Sequence, residues 1–536
     1  MNARRAIGLL ALFSVLAVVH TWPLASAPGT LSRNDNADTV LNEWAIAWVA
    51  HQLPRDPVRL FDANIFYPEQ RTLAFSEHMI VQGLMGVPLF AAGASPVLAY
   101  NLLVLAGFAL TGWGMCLVVH RWTGDTVAAV AAGSLAAFNA HSFTRIPHLQ
   151  ALHVEFLPLA IYCLDRLLAS PRVLTGLALG SFFALQGLTS YYWFVFAAFA
   201  LVAAALARPM DWWGERARPL VVPAGAALGI AMLIVVPFLW PYYDVSRSLG
   251  IVRSLDDVAL YSGSWRDYLS TPGRLHFAAW SHVVWGTGGK TPLFPGVLAL
   301  GLGAIAVAAR WRDTRVRMWL AIVVVGILLS FGTNLPGYGW LYQAVPMLKG
   351  IRAPVRAGHL ALIALAALAG FGLAHLRHRI RRPGVAGVLA VTAIVIATAE
   401  SWVAPIGYYP AREPAAVAGL LSGEPRAVVV VFPMASPSVP FGNVQYMLDS
   451  TLHWKPMLNG YSGFVPSSYV HHWTELQTFP DERALAYLER VGVTHVVVYH
   501  GDGEAPEHRG LQHVAGSDGV TVFRLRWERI EDPMRR

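Results

Sequence analysis

Residues 98–119, LAYNLLVLAGFALTGWGMCLVV, contain no charged side chain over a length that can cross a bilayer. A hydrocarbon core of ~30 Å needs about 20 consecutive apolar residues in a helix, so this stretch predicts a transmembrane helix. Similar runs recur along most of the chain, which is 55% hydrophobic, only 13% charged and has a mean hydropathy of +0.47. These values exclude an ordinary soluble protein and predict a polytopic α-helical membrane protein.

We expect about eleven transmembrane helices, all of them before residue 404. Their apolar segments are 6–22, 98–119, 126–140, 151–168, 173–188, 192–207, 220–240, 293–309, 318–332, 357–375 and 385–403. A further run, 79–93, is short and holds Gly83, Gly86 and Pro88. Runs of that length are often interfacial or re-entrant, and we expect an interfacial helix there.

The placement of arginine predicts the orientation. If 79–93 does not cross, the turns on the N-terminal side are short and dense in arginine: Arg4, Arg5, Arg121, Arg166, Arg172, Arg208, Arg216, Arg218, Arg310–Arg317 and Arg377–Arg382. Short cytoplasmic loops are enriched in Lys and Arg, so we expect a cytoplasmic N-terminus and an extracytoplasmic C-terminus. The outer side then receives 23–97, 141–150, 241–292, 333–356 and everything after about 404.

The first apolar segment has a second interpretation. Arg4 and Arg5, the run Ala6–Val19 and the small residues Ala25–Ala27 resemble a cleaved signal peptide. Cleavage would not change the orientation of the later segments, but it would remove the anchor beside Asp38.

The C-terminal part, 405–536, lacks a long apolar run. Arg426–Pro433 predicts a buried strand, residues 481–500 predict a helix that ends near Gly492 followed by a strand at Thr494–Tyr499, and residues 519–527 predict another strand. We therefore predict a transmembrane domain, 1–404, and an extracytoplasmic α/β domain, 405–536.

The first outer loop, 23–97, combines acidic, amide and aromatic side chains, including Asp35, Asn42, Glu77 and His78. Charged groups beside a bilayer are costly, so such a cluster suggests function. From Thr39 to Leu53 the spacing fits an amphipathic interfacial helix that Trp44 and Trp48, one turn apart, would anchor. Asp38 would lie at or near its start, where it could cap the helix, act as a catalytic carboxylate, or do both.

Three further outer stretches contain candidate binding residues. In 139–155, the three histidines His141, His148 and His153 could suggest a metal site, but their spacing does not match a helical ligand pair and Pro147 interrupts the helix. Arg145 is instead expected to bind a phosphate or headgroup, and His148 is a further candidate for substrate binding. In 347–359, Lys349, Arg352 and Arg356 oppose the positive-inside trend, which predicts an anionic ligand or lipid headgroups. In 446–469, His453, Trp454 and Tyr461 fit either a sugar-binding surface or a packed loop.

Other sequence features argue against several classes of protein function. The chain has no Walker loop, GxSxG elbow or HExxH motif, which argues against a nucleotide-driven pump or an ordinary hydrolase. Cys116 and Cys163 lie in apolar runs and are expected in the core. The net charge of +8 comes mostly from arginines between apolar segments, which fits topology and lipid headgroups better than nucleic acid.

The chain resembles the GT-C superfamily of polytopic glycosyltransferases, and more closely a set of bacterial and actinobacterial membrane proteins with this layout. The resemblance covers most of the chain. The stretches that carry it are ADTVLNEWAIAW (37–48), LFDANIFYPEQRTLAFSEH (60–78), PVLAYNLLVLAGFALTGWGM (96–115), RIPHLQ (145–150), IRAPVRAG (351–358) and HWKPMLNGYSGF (453–464).

The resemblance implies a glycosyltransferase of the bacterial inner (plasma) membrane with a polyprenyl-phosphate sugar as donor. The acceptor would be a cell-envelope glycan, lipid or protein. An acidic residue in the first outer loop would act as general base in a single inverting displacement. The D-x-x-x-N-x-W pattern assigns that role to Asp38, with Asn42 and Trp44, and keeps Asp35 in reserve, although Ala37 stands where the closer set has glycine.

The donor phosphate would bind Arg145, Arg352 or Arg356, and membrane lipids would surround the protein. A requirement for a divalent cation stays open. Two other classes remain: a lipid-linked sugar flippase, which predicts charges at mid-depth such as Glu155 and Asp165, and a non-catalytic envelope assembly factor.

Overall fold

The computed structural model describes residues 2–33, 37–250, 252–289, 291–517 and 519–526, and helices dominate it. The first nine helices are α1 (Ala3–His20), α2 (Ala37–Gln52), α3 (Ile80–Ala91), α4 (Pro96–Thr123), α5 (Thr126–Ala137), α6 (Ala140–Thr144), α7 (Phe156–Ala169), α8 (Val173–Thr189) and α9 (Tyr191–Leu206). The next nine are α10 (Ala217–Leu249), α11 (Leu255–Leu260), α12 (Arg274–His276), α13 (His282–Gly286), α14 (Val297–Arg310), α15 (Thr314–Ser330), α16 (Tyr338–Ala344), α17 (Gly358–Arg379) and α18 (Pro383–Ser401). A π-helical turn, Phe277–Ser281, joins α12 to α13.

Every apolar segment expected to be a transmembrane helix is a helix in the structure. Within the described ranges, five helices are long and apolar enough to cross a membrane: Ala3–His20, Pro96–Thr123, Gly214–Leu249, Pro354–Arg379 and Pro383–Ser401. The chain is therefore an integral membrane protein. The full count of eleven crossings stays a prediction. Helix α3 has 12 residues, which is about 18 Å and too short to span.

Helix α17 lies at the centre of the bundle, because its small residues allow close packing on several sides. A Cβ at Gly372 would lie 2.0 Å from the Leu302 carbonyl oxygen of α14, and one at Gly370 would lie 2.8 Å from the side chains of Ala132 in α5 and Val119 in α4. Small residues at such positions let helix backbones approach closely in a membrane.

The arginine-rich turns meet at one end of the bundle. Asp165, near the end of α7, pairs with Arg208 after α9 and, at 3.3 Å, with Arg315 at the start of α15. Asp125, between α4 and α5, pairs at 2.7 Å with Arg377 near the end of α17. Turns that the sequence analysis assigned to the same side of the membrane therefore contact each other.

The part of the chain after 404 forms a small mixed sheet. Strands β1 (Leu31–Ser32) and β2 (Tyr409–Pro410) pair with each other, and β3 (Val429–Phe432), β4 (His495–Tyr499), β5 (Leu511–Ser517) and β6 (Val520–Leu525) form a sheet of order β3-β4-β6-β5. Helices α19 (Val444–Asp449), α20 (Ser467–Glu475) and α21 (Glu482–Val491) accompany them. The predicted strands and the helix that ends at Gly492, a left-handed residue with φ +87°, are confirmed.

The C-terminal part binds the first outer loop through main-chain hydrogen bonds. The amides of Phe66 and Tyr67 donate to the carbonyls of Asn459 and Met457, at 3.2 and 2.8 Å, and the Met457 amide donates to the Asn64 carbonyl at 2.9 Å. Backbone bonds of this kind fix the separation of two segments. The stretch that contains Tyr461 is thereby held against the loop that contains Asp38.

Helix α2 is confirmed as a helix, but its expected amphipathic character is wrong, and its position at the membrane interface stays a prediction. Its residues from Thr39 to Ala50 are buried on all sides, because α3, α4 and α19 cover it. The Trp44 indole donates to the Asn64 side chain at 3.3 Å, and the Trp48 indole donates to the Leu60 carbonyl at 2.8 Å. Both tryptophans are interior packing residues and not anchors at the membrane interface.

Candidate active site

A cavity of about 1340 Å³ opens where the loops predicted to lie on the outer side meet. The start of α2, the loop before α3, the loop between α6 and α7, and the start of α9 line one part of it. The end of α10, the loops that follow it, the loop before α17 and residues 461–463 line the rest. The cavity lies at the opposite end of the bundle from the Asp165 cluster, since α9 begins at the cavity with Tyr191 and ends just before Arg208.

Asp38 lies in the first turn of α2 and faces the cavity, with its side chain 38% exposed. Its Oδ1 accepts a hydrogen bond of 3.0 Å from the Tyr461 hydroxyl. The described part of α2 begins at Ala37, so Asp38 is inside the helix, where the helix dipole favours a negative charge. Asp35, the reserve candidate, is outside the described residues.

His148 faces the same carboxylate, with its Nε2 3.7 Å from Asp38 Oδ2. Burial, followed by the charges of Arg356 and Arg145, holds the pKa of His148 well below its ordinary 6.5. The imidazole is therefore neutral at physiological pH, and its contact with Asp38 is a polar contact without ion-pair character.

Arg145 and Arg356 line the cavity without a carboxylate partner in the described ranges. The Arg145 Nε atom is buried and has no hydrogen-bond partner there. Burial, and next the charge of Arg356, lower the pKa of Arg145. An arginine nevertheless stays protonated at physiological pH, so the cavity holds two adjacent positive charges.

Tyrosines hold the basic side chains in place. The Arg356 guanidinium lies over the ring of Tyr192, 4.9 Å from its centroid, and that of Arg352 lies over Tyr261 at 4.4 Å and bonds its hydroxyl. The Tyr192 hydroxyl also accepts the amides of Arg352 and Ala353, at 3.2 and 3.1 Å. The start of α9 therefore fixes the loop before α17 at the cavity wall.

Glu77 and Asn42 line the cavity and connect its walls. The Tyr191 amide donates to Glu77 Oε2 at 2.9 Å, which ties the first outer loop to α9. Burial raises the pKa of Glu77 against the opposing effects of this hydrogen bond and of Arg356. The Asn42 amide donates to the Pro147 carbonyl at 2.8 Å, which connects α2 to the Arg145–His148 loop.

Nine of the residues singled out from the sequence thus meet at one cavity: Asp38, Asn42, Glu77, Arg145, His148, Lys349, Arg352, Arg356 and Tyr461. Four others lie outside its lining, and each has an internal contact. The Trp44 indole bonds Asn64, the rings of His78 and His453 accept amides two residues further on, and Trp454 stacks on His51 at 4.4 Å. A contact of these four with a substrate stays a prediction.

The histidines of the 139–155 stretch do not converge on one point. His153 Nδ1 lies 2.9 Å from Glu155 and its Nε2 lies 3.1 Å from the Leu103 carbonyl, while His141 packs beside His359. In the described part of the chain, no group of three or more His, Cys, Asp or Glu side chains is placed to hold a metal ion.

Sequence reasoning missed several lining residues, among them Arg253, Tyr192 and Tyr261. Arg253 could have been found, because it is a basic residue in an outer loop and so opposes the positive-inside trend, as Arg352 does. The two tyrosines gave no such signal, since aromatic residues near membrane boundaries are common.

No family model matches the sequence, and a comparison with curated proteins finds no significant relative. Among solved structures, the chain is similar to the arabinofuranosyltransferase AftD from Mycobacteria, with a TM-score of 0.63 and 14% identity over 98% of this chain. This chain spans only 40% of the length of AftD. ArnT from Cupriavidus metallidurans in the apo state also matches, with a TM-score of 0.49 and 15% identity over 97% of this chain and 98% of ArnT. ArnT bound to undecaprenyl phosphate matches with the same TM-score and identity over 96% of this chain and 98% of ArnT.

AftD and ArnT are GT-C glycosyltransferases. The resemblance stated from the sequence is therefore confirmed at the level of the fold, through the similarity to AftD: this chain has a fold similar to that of a GT-C membrane glycosyltransferase. A fold can host several functions, so the chemistry has to be argued from the residues at the cavity.

Proposed function

We propose that this chain is a glycosyltransferase that moves a sugar from a polyprenyl-phosphate donor to a cell-envelope acceptor at the outer face of the membrane. One observation carries the proposal. The Asp38 carboxylate and the guanidinium groups of Arg145, Arg352 and Arg356 line the same cavity, and no carboxylate of the described residues pairs with these arginines.

In the proposed reaction, the donor keeps its lipid tail in the bilayer and places its phosphate against Arg145 and Arg356. Asp38 accepts the proton of an acceptor hydroxyl, whose oxygen forms a bond to the anomeric carbon as the bond from that carbon to the phosphate oxygen breaks. The configuration inverts, and the lipid phosphate departs with one more negative charge than it had in the donor. Fixed positive groups stabilise that charge, and general-base assistance is typically worth ~10²–10⁴-fold.

Tyr461 and His148 suit the base role of Asp38. The Tyr461 hydroxyl fixes one carboxylate oxygen by a hydrogen bond. The other oxygen faces the neutral imidazole of His148, which lies at 3.7 Å and does not neutralise it as a charged partner would. Asp38 is thus held in position and stays reachable from the cavity.

The outer location of the site is part of the proposal. The Asp165, Arg208 and Arg315 cluster belongs to the arginine-rich turns, and the positive-inside rule assigns such turns to the cytoplasm. The cavity is at the other end of the same helices. This orientation also puts the N-terminus inside and the α/β part after residue 404 outside.

A flippase is less well supported. Transport predicts exposed charges along a path through the bundle. Asp165 is buried among Arg208 and Arg315, Glu155 is buried against His153, and neither lines the cavity. The charges that face the cavity lie instead at one end of the bundle, as a one-sided reaction requires.

The first test is to identify the lipid that the protein carries. The protein is purified in mild detergent with native lipids, and bound lipids are extracted and analysed by mass spectrometry. We expect a polyprenyl-phosphate sugar from the wild type and from Arg412→Gln, which removes an exposed arginine that does not line the cavity. Arg356→Gln should carry much less. Equal lipid content in Arg356→Gln and the wild type, or no such lipid in either, would contradict the proposal.

A further inference from the structure

The cavity has more positive charge than a lipid-phosphate donor uses. Besides Arg145 and Arg356, its lining includes Arg253, Lys349 and Arg352. None of these five side chains forms an ion pair with a carboxylate of the described residues. Elsewhere in the chain, buried or half-buried arginines such as Arg208 and Arg377 do have carboxylate partners.

The carboxylates of the lining do not balance these charges. Asp267 is engaged by its own loop, since it accepts the amide and hydroxyl of Ser264 and, at 2.9 Å, the amide of Thr291. Burial raises the pKa of Glu77, which favours its neutral form. Asp38, whose carboxylate accepts the Tyr461 hydroxyl, also lines the cavity and supplies one negative charge against the five positive ones.

The five cations fall into two groups. The inner pair, Arg145 and Arg356, are close enough to affect each other electrostatically and lie beside His148. The outer group consists of Arg253, which is half-buried, and of Lys349 and Arg352, which are exposed.

The outer group is rigidly built. The Arg253 amide donates to the Lys349 carbonyl at 3.1 Å, and the Tyr342 hydroxyl donates to the Arg253 carbonyl at 2.6 Å. The Arg253 guanidinium also donates to the Gly463 carbonyl at 2.8 Å, so the C-terminal part helps to hold it. The Lys349 ammonium lies 6.0 Å from the ring of Tyr342. The Arg253 guanidinium and the backbone beneath Lys349 are therefore held in place before a ligand binds.

One donor does not account for both groups. A polyprenyl-phosphate sugar is a phosphodiester with a single negative charge, and the departing lipid phosphate has two. The inner pair matches that requirement, because a guanidinium pair binds a phosphate well. The phosphate of the donor leaves the outer group without a counter-charge, so that group can attract a second anion beside the first.

We infer that Arg253, Lys349 and Arg352 form a second anion subsite, and that it binds an acidic group, a carboxylate or a phosphate, of the acceptor. This inference rests on the proposed function and narrows its acceptor to an acidic saccharide or a phosphorylated glycolipid. The subsite lies on the side of Tyr461 and Asp38, since Arg352 and Asp38 both act electrostatically on Tyr461. An acceptor bound there would present a hydroxyl to the Asp38 carboxylate.

The test uses two trisaccharides of similar size, trigalacturonate with three carboxylates and neutral maltotriose. The protein is placed in phosphatidylcholine nanodiscs and saturated with undecaprenyl phosphate, which occupies the inner pair, and each sugar is titrated by calorimetry. We expect trigalacturonate to bind at least ~10-fold more tightly than maltotriose, a difference of about 1.4 kcal/mol.

Variants then locate the binding. Lys349→Gln should weaken trigalacturonate ~5–10-fold, as expected for one lost charged contact, and Lys349→Arg should retain it. Lys455→Gln removes a lysine outside the cavity lining and should change nothing. Undecaprenyl phosphate should bind Lys349→Gln as it binds the wild type, and should bind Arg356→Gln poorly.

Equal affinity for the two sugars would overturn the inference, and so would a Lys349→Gln variant that loses undecaprenyl phosphate as Arg356→Gln does. A third contrary result is a competition in which phosphatidylglycerol in the nanodiscs displaces trigalacturonate from the wild type but not from Lys349→Gln. The last result would assign the outer group to lipid headgroups. If undecaprenyl phosphate itself fails to bind the wild type, the proposed function fails; if it binds and the sugars are not distinguished, only this inference fails.

Discussion

The Tyr461 hydroxyl donates a hydrogen bond of 3.0 Å to the Asp38 carboxylate across 423 positions of the sequence. The C-terminal part of the chain therefore completes a site that the first outer loop begins. Burial, and then the charge of Asp38, raise the pKa of Tyr461 above its ordinary value of 10. The phenol consequently stays protonated and remains a donor over the whole physiological range.

Removal of this hydroxyl should slow the reaction without loosening the donor. A hydrogen bond to a charged group contributes about 1.5–3 kcal/mol, so we expect Tyr461→Phe to lower kcat by ~10–100-fold. The KM for the lipid donor should change less than twofold. Tyr446→Phe is the matched control, because Tyr446 donates to the Pro433 carbonyl away from the cavity. Wild-type kcat in Tyr461→Phe would exclude a positioning role for the hydroxyl.

The inner arginines should set the affinity for lipid phosphate. Arg145→Gln and Arg356→Gln should each weaken undecaprenyl phosphate by ~10-fold or more, since each removes a charged contact. Arg356→Lys should restore binding only in part, because a lysine keeps the charge but loses the bidentate geometry and the stacking on Tyr192. Titration in nanodiscs measures this, with Arg412→Gln as control. Unchanged affinity in both glutamine variants would show that the phosphate binds elsewhere.

His148 should make stability fall in acid. Its pKa is depressed in the folded protein, so below pH 6.5 the unfolded chain binds a proton that the folded chain does not. The free energy of unfolding is therefore unaffected by His148 above pH 6.5 and decreases as the pH falls below that value. Between about pH 7 and 5, the Tm of His148→Gln should therefore drop less than that of the wild type, as followed by tryptophan fluorescence. An equal drop in both proteins would mean that His148 takes up its proton normally when folded.

The ion-pair cluster at the far end of the bundle should support the fold and not the reaction. Asp165→Asn removes the partner that Arg208 and Arg315 share, while Arg208 keeps Asp211 at 2.7 Å, so we expect a cost of at most about 3 kcal/mol, the lower end for a broken buried pair. Glu482→Gln breaks the exposed pair with Arg509 and should cost at most about 1 kcal/mol. Folded Asp165→Asn should still bind undecaprenyl phosphate. Loss of lipid binding from a folded variant would instead favour a path through the bundle, as a transporter requires.

The helical framework could be predicted from the sequence because membrane helices leave long apolar runs. The segment 357–375, for example, became α17, which holds small residues and packs against α4, α5, α14, α15 and α18. The environment of α2 could not be predicted. Residues that cover it, such as those of α19, are some 400 positions away, and no local pattern shows that they fold back onto Trp44 and Trp48.

Residues of the candidate site could be predicted where their charge opposed the expected distribution. They could not be predicted where aromatic composition was the only indication. Lys349, Arg352 and Arg356 stood out because basic residues on the predicted outer side oppose the usual bias. His453 and Trp454 were chosen for their aromatic character, and in the structure they pack inside the protein while Tyr461, from the same stretch, faces the cavity. The direction of a side chain in an irregular segment depends on tertiary contacts, here the backbone bonds to Asn64 and Tyr67.

The turnover of Asp38→Asn tests the central claim most directly. Purified protein in nanodiscs made with a native membrane extract is incubated, and the polyprenyl phosphate released per protein is measured by mass spectrometry. We predict that Asp38→Asn retains the bound donor and releases lipid phosphate ~10²–10⁴-fold more slowly than the wild type. Asp62→Asn, an exposed carboxylate of the same outer loop that does not line the cavity, should match the wild type. Release at the wild-type rate by Asp38→Asn would contradict the assignment of Asp38 as the general base.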